Sequence, residues 1–273
     1  AGKDLSESVI LSSKILRVLG GIPPTGFSYE LFLDENGEKI SKSKGNGLSI
    51  EEWFRYGSSE SLSLFMYSNP KRAKRLFFDV IPKTTDEYST YLKKYQEQEL
   101  EQRIDNPVWH LHNGHPPQND LPVTYTLLLN LASVCHANDP EIIWGYVSAY
   151  SPGVVRTAEL DLLMKLAVNY YKEKIEPFKT YRLPSPKEEI GLKELVKSLS
   201  NLNEATSSDE LQSLVFSIGK NLEYDNLRDW FKGLYETVLG QSDGPRMGSF
   251  IKLYGIKSTK KLLEEVLSGK LVK

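Results

Sequence analysis

From Leu121 to its end this chain carries helix signals and no strand signal, and that restricts the fold more than any other feature. Residues 123–136 are an apolar helical run. Asp139-Pro140 supplies an N-cap and a first-turn proline for a helix reaching about Tyr150. Over residues 157–175, Leu160, Leu163, Met164, Ala167, Val168 and Tyr171 make one apolar face. Pro177, Pro184 and Pro186 interrupt the chain before a helix over 188–199, and Ser207-Ser-Asp-Glu210 is a capping box for another reaching about Lys220. Segments 226–239, 245–254 and 258–267 follow, each stopped by a glycine. Their lengths vary and no period recurs, so an α-helical bundle is expected here, not a solenoid.

The first part of the chain reads differently. Residues 4–18 have a mixed apolar pattern consistent with a helix, stopped by Gly20-Gly21. Phe27, Tyr29, Leu31 and Leu33 alternate as a half-buried strand does, and Asp34-Glu-Asn-Gly37 forms the turn of a β-hairpin. Ser49-Ile-Glu-Glu52 is a capping box opening a short helix that ends near Gly57, and residues 58–67 make another, stopped by Asn69-Pro70. Thr84-Thr85-Asp-Glu87 is expected to cap a long helix running to about Ile104, with Tyr88, Tyr91, Leu92 and Tyr95 as a buried stripe. Asp105-Asn106-Pro107 ends that helix and marks a domain boundary.

The chemistry lies in Glu38-Lys-Ile-Ser-Lys-Ser-Lys-Gly-Asn46. Lys39, Lys42 and Lys44 stand among Ser41, Ser43 and Gly45 on a short loop between the hairpin and the capped helix. Ammonium groups on such a loop cannot be core, and they suit a polyphosphate; a solvated basic loop is the plainer alternative. Lys39-Ile40-Ser41-Lys42-Ser43 resembles the KMSKS signature of class I aminoacyl-tRNA synthetases, with Ile for Met. Together with 19–27 (Leu-Gly-Gly-Ile-Pro-Pro-Thr-Gly-Phe), Tyr29-Glu-Leu-Phe-Leu33, 106–114 (Asn-Pro-Val-Trp-His-Leu-His-Asn-Gly) and Leu127-Leu-Leu-Asn-Leu131, it resembles the class I, archaeal-type lysyl-tRNA synthetases over essentially the whole chain.

That resemblance implies an enzyme joining lysine to tRNA(Lys) at the expense of ATP with Mg²⁺, in the cytoplasm and without a membrane. It assigns Lys42 as the catalytic lysine and Lys39, Ser41, Ser43 and Lys44, with Lys42, as the ATP-binding loop. Class I catalytic domains also need a parallel nucleotide-binding sheet and a His-containing signature, and neither is found before the helical part. The expectation is therefore a C-terminal portion, inactive alone and binding no cofactor alone. It would be mainly α: residues 1–57 a catalytic-domain remnant with a β-hairpin and the KMSKS-type loop, 58–105 a stem-contact-like helical region, and 106–273 an α-helical bundle that binds the anticodon. Another class I synthetase, such as the glutamate enzyme, and a non-catalytic helical interaction module are the alternatives.

Candidate tRNA contacts come from two sources. The run Lys71, Arg72, Lys74 and Arg75 is either a solvated helix start or a grip on an RNA backbone. Trp109, His112, Trp144, Tyr224, Arg228, Trp230 and Arg246 lie near helix ends, from which aromatic and Arg side chains could read an unpaired loop. His110, His112 and His115 lack a second ligand pair, so no metal is expected. The net charge of −2 argues against a protein that coats nucleic acid. The single cysteine, Cys135, excludes an internal disulfide and reads as a buried structural thiol. No apolar run is long enough to span a bilayer.

Overall fold

The computed structural model describes residues 1–41 and 43–272, and the chain divides into two compact units, Ala1–Asn119 and Asp120–Lys273. In the first, a 3-10 turn leads into α1 (Ser6–Val18), none of whose residues is buried. Val9, Ile10, Leu11, Ile15 and Val18 all face solvent. A two-stranded parallel sheet joins β1 (Phe32–Leu33) to β2 (Lys74–Arg75).

Helices α2 (Ile50–Tyr56) and α3 (Ser59–Tyr67) begin at Ser49 and Ser58, whose hydroxyls accept from the amides of Glu52 and Ser61. The Ser49–Glu52 capping box is complete. Trp53 from α2 is buried, lies 5.4 Å from the Phe65 ring of α3 and donates its indole N–H to Ser61 Oγ at 3.1 Å. Further along, Leu64, Tyr88, Leu92 and Val108 form a core cluster that Tyr91, Tyr95 and Leu111 complete, so the tyrosine stripe is core as its spacing predicts.

Three local expectations change. The strand pattern beginning at Phe27 enters a sheet at Phe32–Leu33, with Tyr29 held by an isolated parallel bridge to Gly2, while the Phe27 and Tyr29 side chains stay exposed. The hairpin is reduced to one antiparallel bridge, Leu33 to Lys39, because the chain leaves the ladder at once to form the lysine loop. The long helix α4 (Val80–Glu97) starts ahead of Thr84. Pro82 is tolerated in its first turn, and the hydroxyls of Thr84 and Thr85 donate back to Val80 O and Ile81 O from inside the helix, at 2.7 and 2.9 Å.

The chain then turns extended at Gln98, passes α5 (Leu100–Arg103) and enters α6 (Pro107–Leu111). Asn106 does not open a new domain. It is buried, donates to Tyr91 O and Gln98 Oε1, and accepts from the Val108 amide as the cap of α6. Residues 106–119 thus belong with the first unit.

The second unit is helical throughout. Its elements are α7 (Tyr125–Val134), α8 (Pro140–Tyr150), α9 (Ala158–Tyr170), α10 (Pro186–Leu199), α11 (Ser208–Asn221), α12 (Leu227–Leu234), α13 (Met247–Tyr254) and α14 (Ile256–Leu267). Helices α9 and α12 each run on into a π-helical turn, Tyr171–Ile175 and Tyr235–Leu239. Gly240, in the left-handed region at φ 70°, ends the second of these. Ser185–Glu188 and Ser207–Glu210 are complete capping boxes. Helix α7 is buried on nearly every side and packs against α8, α9 and α13. Leu128, Met164, Leu192, Trp230, Phe250 and Leu263 bring α7, α9, α10, α12, α13 and α14 into one core. Among the described residues this unit has no strand, and no helix of the chain is long and apolar enough to cross a membrane.

Candidate functional site

The lysine loop is held at its base by two side chains. Asp34 is largely buried; one carboxylate oxygen accepts from the amides of Asn36 and Glu38, at 3.0 and 2.8 Å, and the other from Asn46 Nδ2 at 2.7 Å. Asn46 Oδ1 in turn accepts from the Ser41 amide at 3.0 Å. The Asn46 amide, then the Glu38 amide, hold the Asp34 carboxyl below the usual carboxylate range. Asp34 and Asn46 therefore pinch together the two ends of the loop. Within it, Ser41 O accepts from the amides of Lys44 and Gly45, and Gly45 takes the left-handed conformation at φ 62° that this turn requires.

The ammonium groups of Lys39 and Lys44 are not free. Lys39 pairs with Asp4 and Lys44 with Glu38, each at 2.8 Å, and the hydrogen bond that Lys44 donates to Glu38 raises the pKa of Lys44. All four side chains are more than half exposed. Exposed pairs of this kind contribute about 0–1 kcal/mol, so a multiply charged phosphate can displace either carboxylate. Ser41 and Ser43 place their hydroxyls 3.3 Å apart on the same loop. Lys42, the residue aligned with the second lysine of the signature, lies outside the described residues.

The basic run after Pro70 splits into parts with different work. Lys71 and Arg72 are exposed at a turn. Lys74 is turned inward: its ammonium group caps the C-terminal carbonyls of α3, donating to Phe65 O, Met66 O and, at 2.7 Å, Ser68 O. Burial lowers its pKa, and the Phe65 ring lies 4.8 Å away. Lys74 is thus a helix cap, unavailable to a phosphate backbone. Arg75 is exposed and lies over the hairpin turn, within 3.6 Å of where a Cβ on Gly37 would stand.

The ring candidates divide in the same way. Trp230 is fully buried and donates its indole N–H to Val215 O at 3.0 Å, so it presents no ring to a base; a hydrophobic residue near a helix end belongs to the core here. His112 Nε2 lies 2.8 Å from the hydroxyl of core Tyr88. Trp109 is half-buried, edge-on to His110, which stacks on half-exposed Tyr67 at 5.5 Å. The Trp144 and Tyr224 rings carry the Arg156 guanidinium and the Lys187 ammonium. Arg228 is exposed in the first turn of α12, and Arg246 is exposed but paired with Asp209 at 2.8 Å. Cys135 is partly buried, and desolvation pushes its thiol up to about 11, as a structural thiol requires. Among the described residues no three His, Cys, Asp or Glu side chains converge.

Sequence reasoning passed over Asp34 and Asn46. A signal was present: an Asp with Gly three residues on favours a turn closed by its own carboxylate.

Residues 1–115 match the family model of class I tRNA synthetases of the lysine type. The chain is 49% identical over 267 residues to a lysine–tRNA ligase of Rickettsia felis, a match covering 96% of this chain and 51% of that protein. The lysine–tRNA ligases of Rickettsia akari and Rickettsia bellii are also 49% identical, over 266 and 270 residues. The chain spans about half the length of the curated relatives it matches. It is similar to the C-terminal portion of such a protein.

Proposed function

We propose that this chain is the tRNA-handling, C-terminal part of a class I lysine–tRNA ligase, with the lysine loop serving the ATP site of the whole enzyme. What carries the proposal is the coincidence of the pinched, lysine-bearing loop with a family match that covers the same residues. In the activation step the lysine carboxylate attacks the α-phosphate of ATP and diphosphate leaves. Charge builds on the phosphate oxygens, and cations that meet it lower the barrier. Lys42 is assigned that role, supported by Lys39, Lys44 and the hydroxyls of Ser41 and Ser43. Mg²⁺ would enter with the triphosphate. Lys39 and Lys44 would leave Asp4 and Glu38 to do so, and the weakness of exposed pairs makes that exchange cheap.

The exposed apolar side of α1 suits a surface that meets the ATP-binding part of the enzyme. Among the described residues the only sheet has two strands of two residues, which cannot seat a nucleotide. The chain alone should therefore form no lysyl-adenylate. The helical second unit would hold the anticodon loop, with Lys71, Arg72 and Arg75 of the first unit, and with Trp109, Arg228 and Arg246, as the remaining candidate contacts.

Binding of radiolabelled tRNA(Lys) to this chain, measured across a salt series against a non-cognate tRNA, tests the proposal. Tighter binding of tRNA(Lys), weakening steeply with salt, is the expected result. Equal binding of both tRNAs would leave only a non-specific basic surface.

A further inference from the structure

The chain has three Asn-Gly dipeptides, Asn36-Gly37, Asn46-Gly47 and Asn113-Gly114, and two of them bracket the lysine loop. Such a dipeptide is chemically labile. Glycine has no Cβ to shield its amide nitrogen, so that nitrogen can reach the side-chain carbonyl of the preceding Asn. The structure treats the three differently. The Asn46 carboxamide is held at both ends, by the Ser41 amide at 3.0 Å and by Asp34 at 2.7 Å. At Asn113 the nucleophile is held instead. The Gly114 amide donates to Trp109 O at 2.7 Å, and the Trp109 indole lies 3.4 Å from where a Cβ on Gly114 would stand.

Asn36 has neither restraint. It is exposed in the turn from Asp34 to Gly37, and the Gly37 amide makes a longer bond, 3.1 Å, to Asp34 O. A Cβ on Gly37 would meet only the Arg75 guanidinium, at 3.6 Å. A cation beside that amide favours the negative charge that develops when the nitrogen loses its proton and attacks a carbonyl.

We propose that Asn36-Gly37 is a self-modification site, promoted by Arg75, whose only co-reactant is water. The Gly37 nitrogen gives up its proton and bonds to Asn36 Cγ. The carboxamide nitrogen leaves with a proton as ammonia, and a cyclic imide remains. Water then adds to one of the two imide carbonyls, the C–N bond there breaks, and the nitrogen takes back a proton. Nothing is oxidised or reduced. Breaking the bond to Cγ gives aspartate; breaking the bond to the main-chain carbon gives isoaspartate, whose backbone runs through the side chain.

The site matters because of what the turn supports. The amides of Asn36 and Glu38 both donate to one Asp34 oxygen, at 3.0 and 2.8 Å, and the other Asp34 oxygen holds Asn46. An isoaspartate lengthens the backbone between those two amides, so they no longer converge on Asp34. The base of the lysine loop then opens. Aspartate keeps the original backbone and leaves the base closed.

The test incubates this chain in mildly alkaline buffer and follows each site by peptide mass mapping and by radiolabelling with an isoaspartyl methyltransferase. Cleavage after Lys39 and Lys44 places the three Asn residues in separate peptides. In the folded chain the Asn36 peptide should be labelled several-fold faster than the other two, and in urea all three should react alike. Arg75→Gln should slow labelling at Asn36 several-fold without moving Tm, and Asn36→Gln should abolish it there. Chain carrying isoaspartate, separated by ion exchange, should be cut by trypsin after Lys39 or Lys44 several-fold faster than the parent, while Asn36→Asp is cut as the parent is. Equal labelling of the three sites in the folded chain overturns the site, and an unchanged rate in Arg75→Gln overturns its promotion by the guanidinium. Isoaspartate-bearing chain cut no faster than the parent overturns the link to the lysine loop.

Discussion

At the scale of single residues, the structure separates groups that look alike in sequence. Lys74 and Arg72 stand in one basic run, yet Lys74 closes the C-terminus of α3 and Arg72 is exposed. Lys74→Ala should lower stability by about 1–2 kcal/mol in urea unfolding and leave the salt slope of RNA binding unchanged. Arg72→Ala should do the reverse, reducing that slope by about one with no change in midpoint. Lys179 offers a pH test. Its ammonium group donates to Ser133 O at 2.8 Å near the Tyr171 and Tyr181 rings, and burial pushes its pKa down to about 8, with Glu176 opposing weakly. In the unfolded chain a lysine holds its proton to about pH 10.4. Between the two values the unfolded state binds more protons, so stability should rise with pH from about 8 to 10, by on the order of 2 kcal/mol. Lys179→Met should flatten that rise in denaturant midpoints taken at each pH. An equal rise in the variant would assign it to other groups.

Among elements, the lysine loop and its frame are the informative case. Asn46 joins Asp34 to the Ser41 amide, so Asn46→Ala should free one end of the loop without touching the core. Tryptic cleavage after Lys39, Lys42 or Lys44 should then quicken several-fold while Tm moves little. Unchanged cleavage would mean that the ion pairs to Asp4 and Glu38, and not the Asp34–Asn46 contact, hold the loop. The capping box of α2 is a separate device: Ser49→Ala should cost about 1 kcal/mol of stability, read in urea, without exposing the loop to trypsin. Trp230 shows the same logic in the second unit. It fills the space between α10, α11 and α12, where a Cβ on Gly219 would strike the indole, so Trp230→Ala should cost about 3–5 kcal/mol.

For the whole molecule, the division at Asn119 predicts that residues 120–273 expressed alone fold cooperatively with a helical far-UV spectrum, because their core closes on itself. A broad, non-cooperative melt would show that this core needs the first unit. The capped helices of the second unit and the tyrosine stripe of α4 were legible in the chain, because caps, glycine stops and apolar spacing are local and act within a few residues. The start of α4, the shrinking of the hairpin and the place of Asn106 were not, since each is settled by partners distant in sequence. The sequence by itself determined a mainly helical chain, similar to one half of a lysine–tRNA ligase, with amines set on a loop that cannot be buried. Only the tertiary structure decided which cations and rings remain available, because burying Lys74 against the end of α3 and Trp230 against Val215 O depends on contacts that no local pattern encodes.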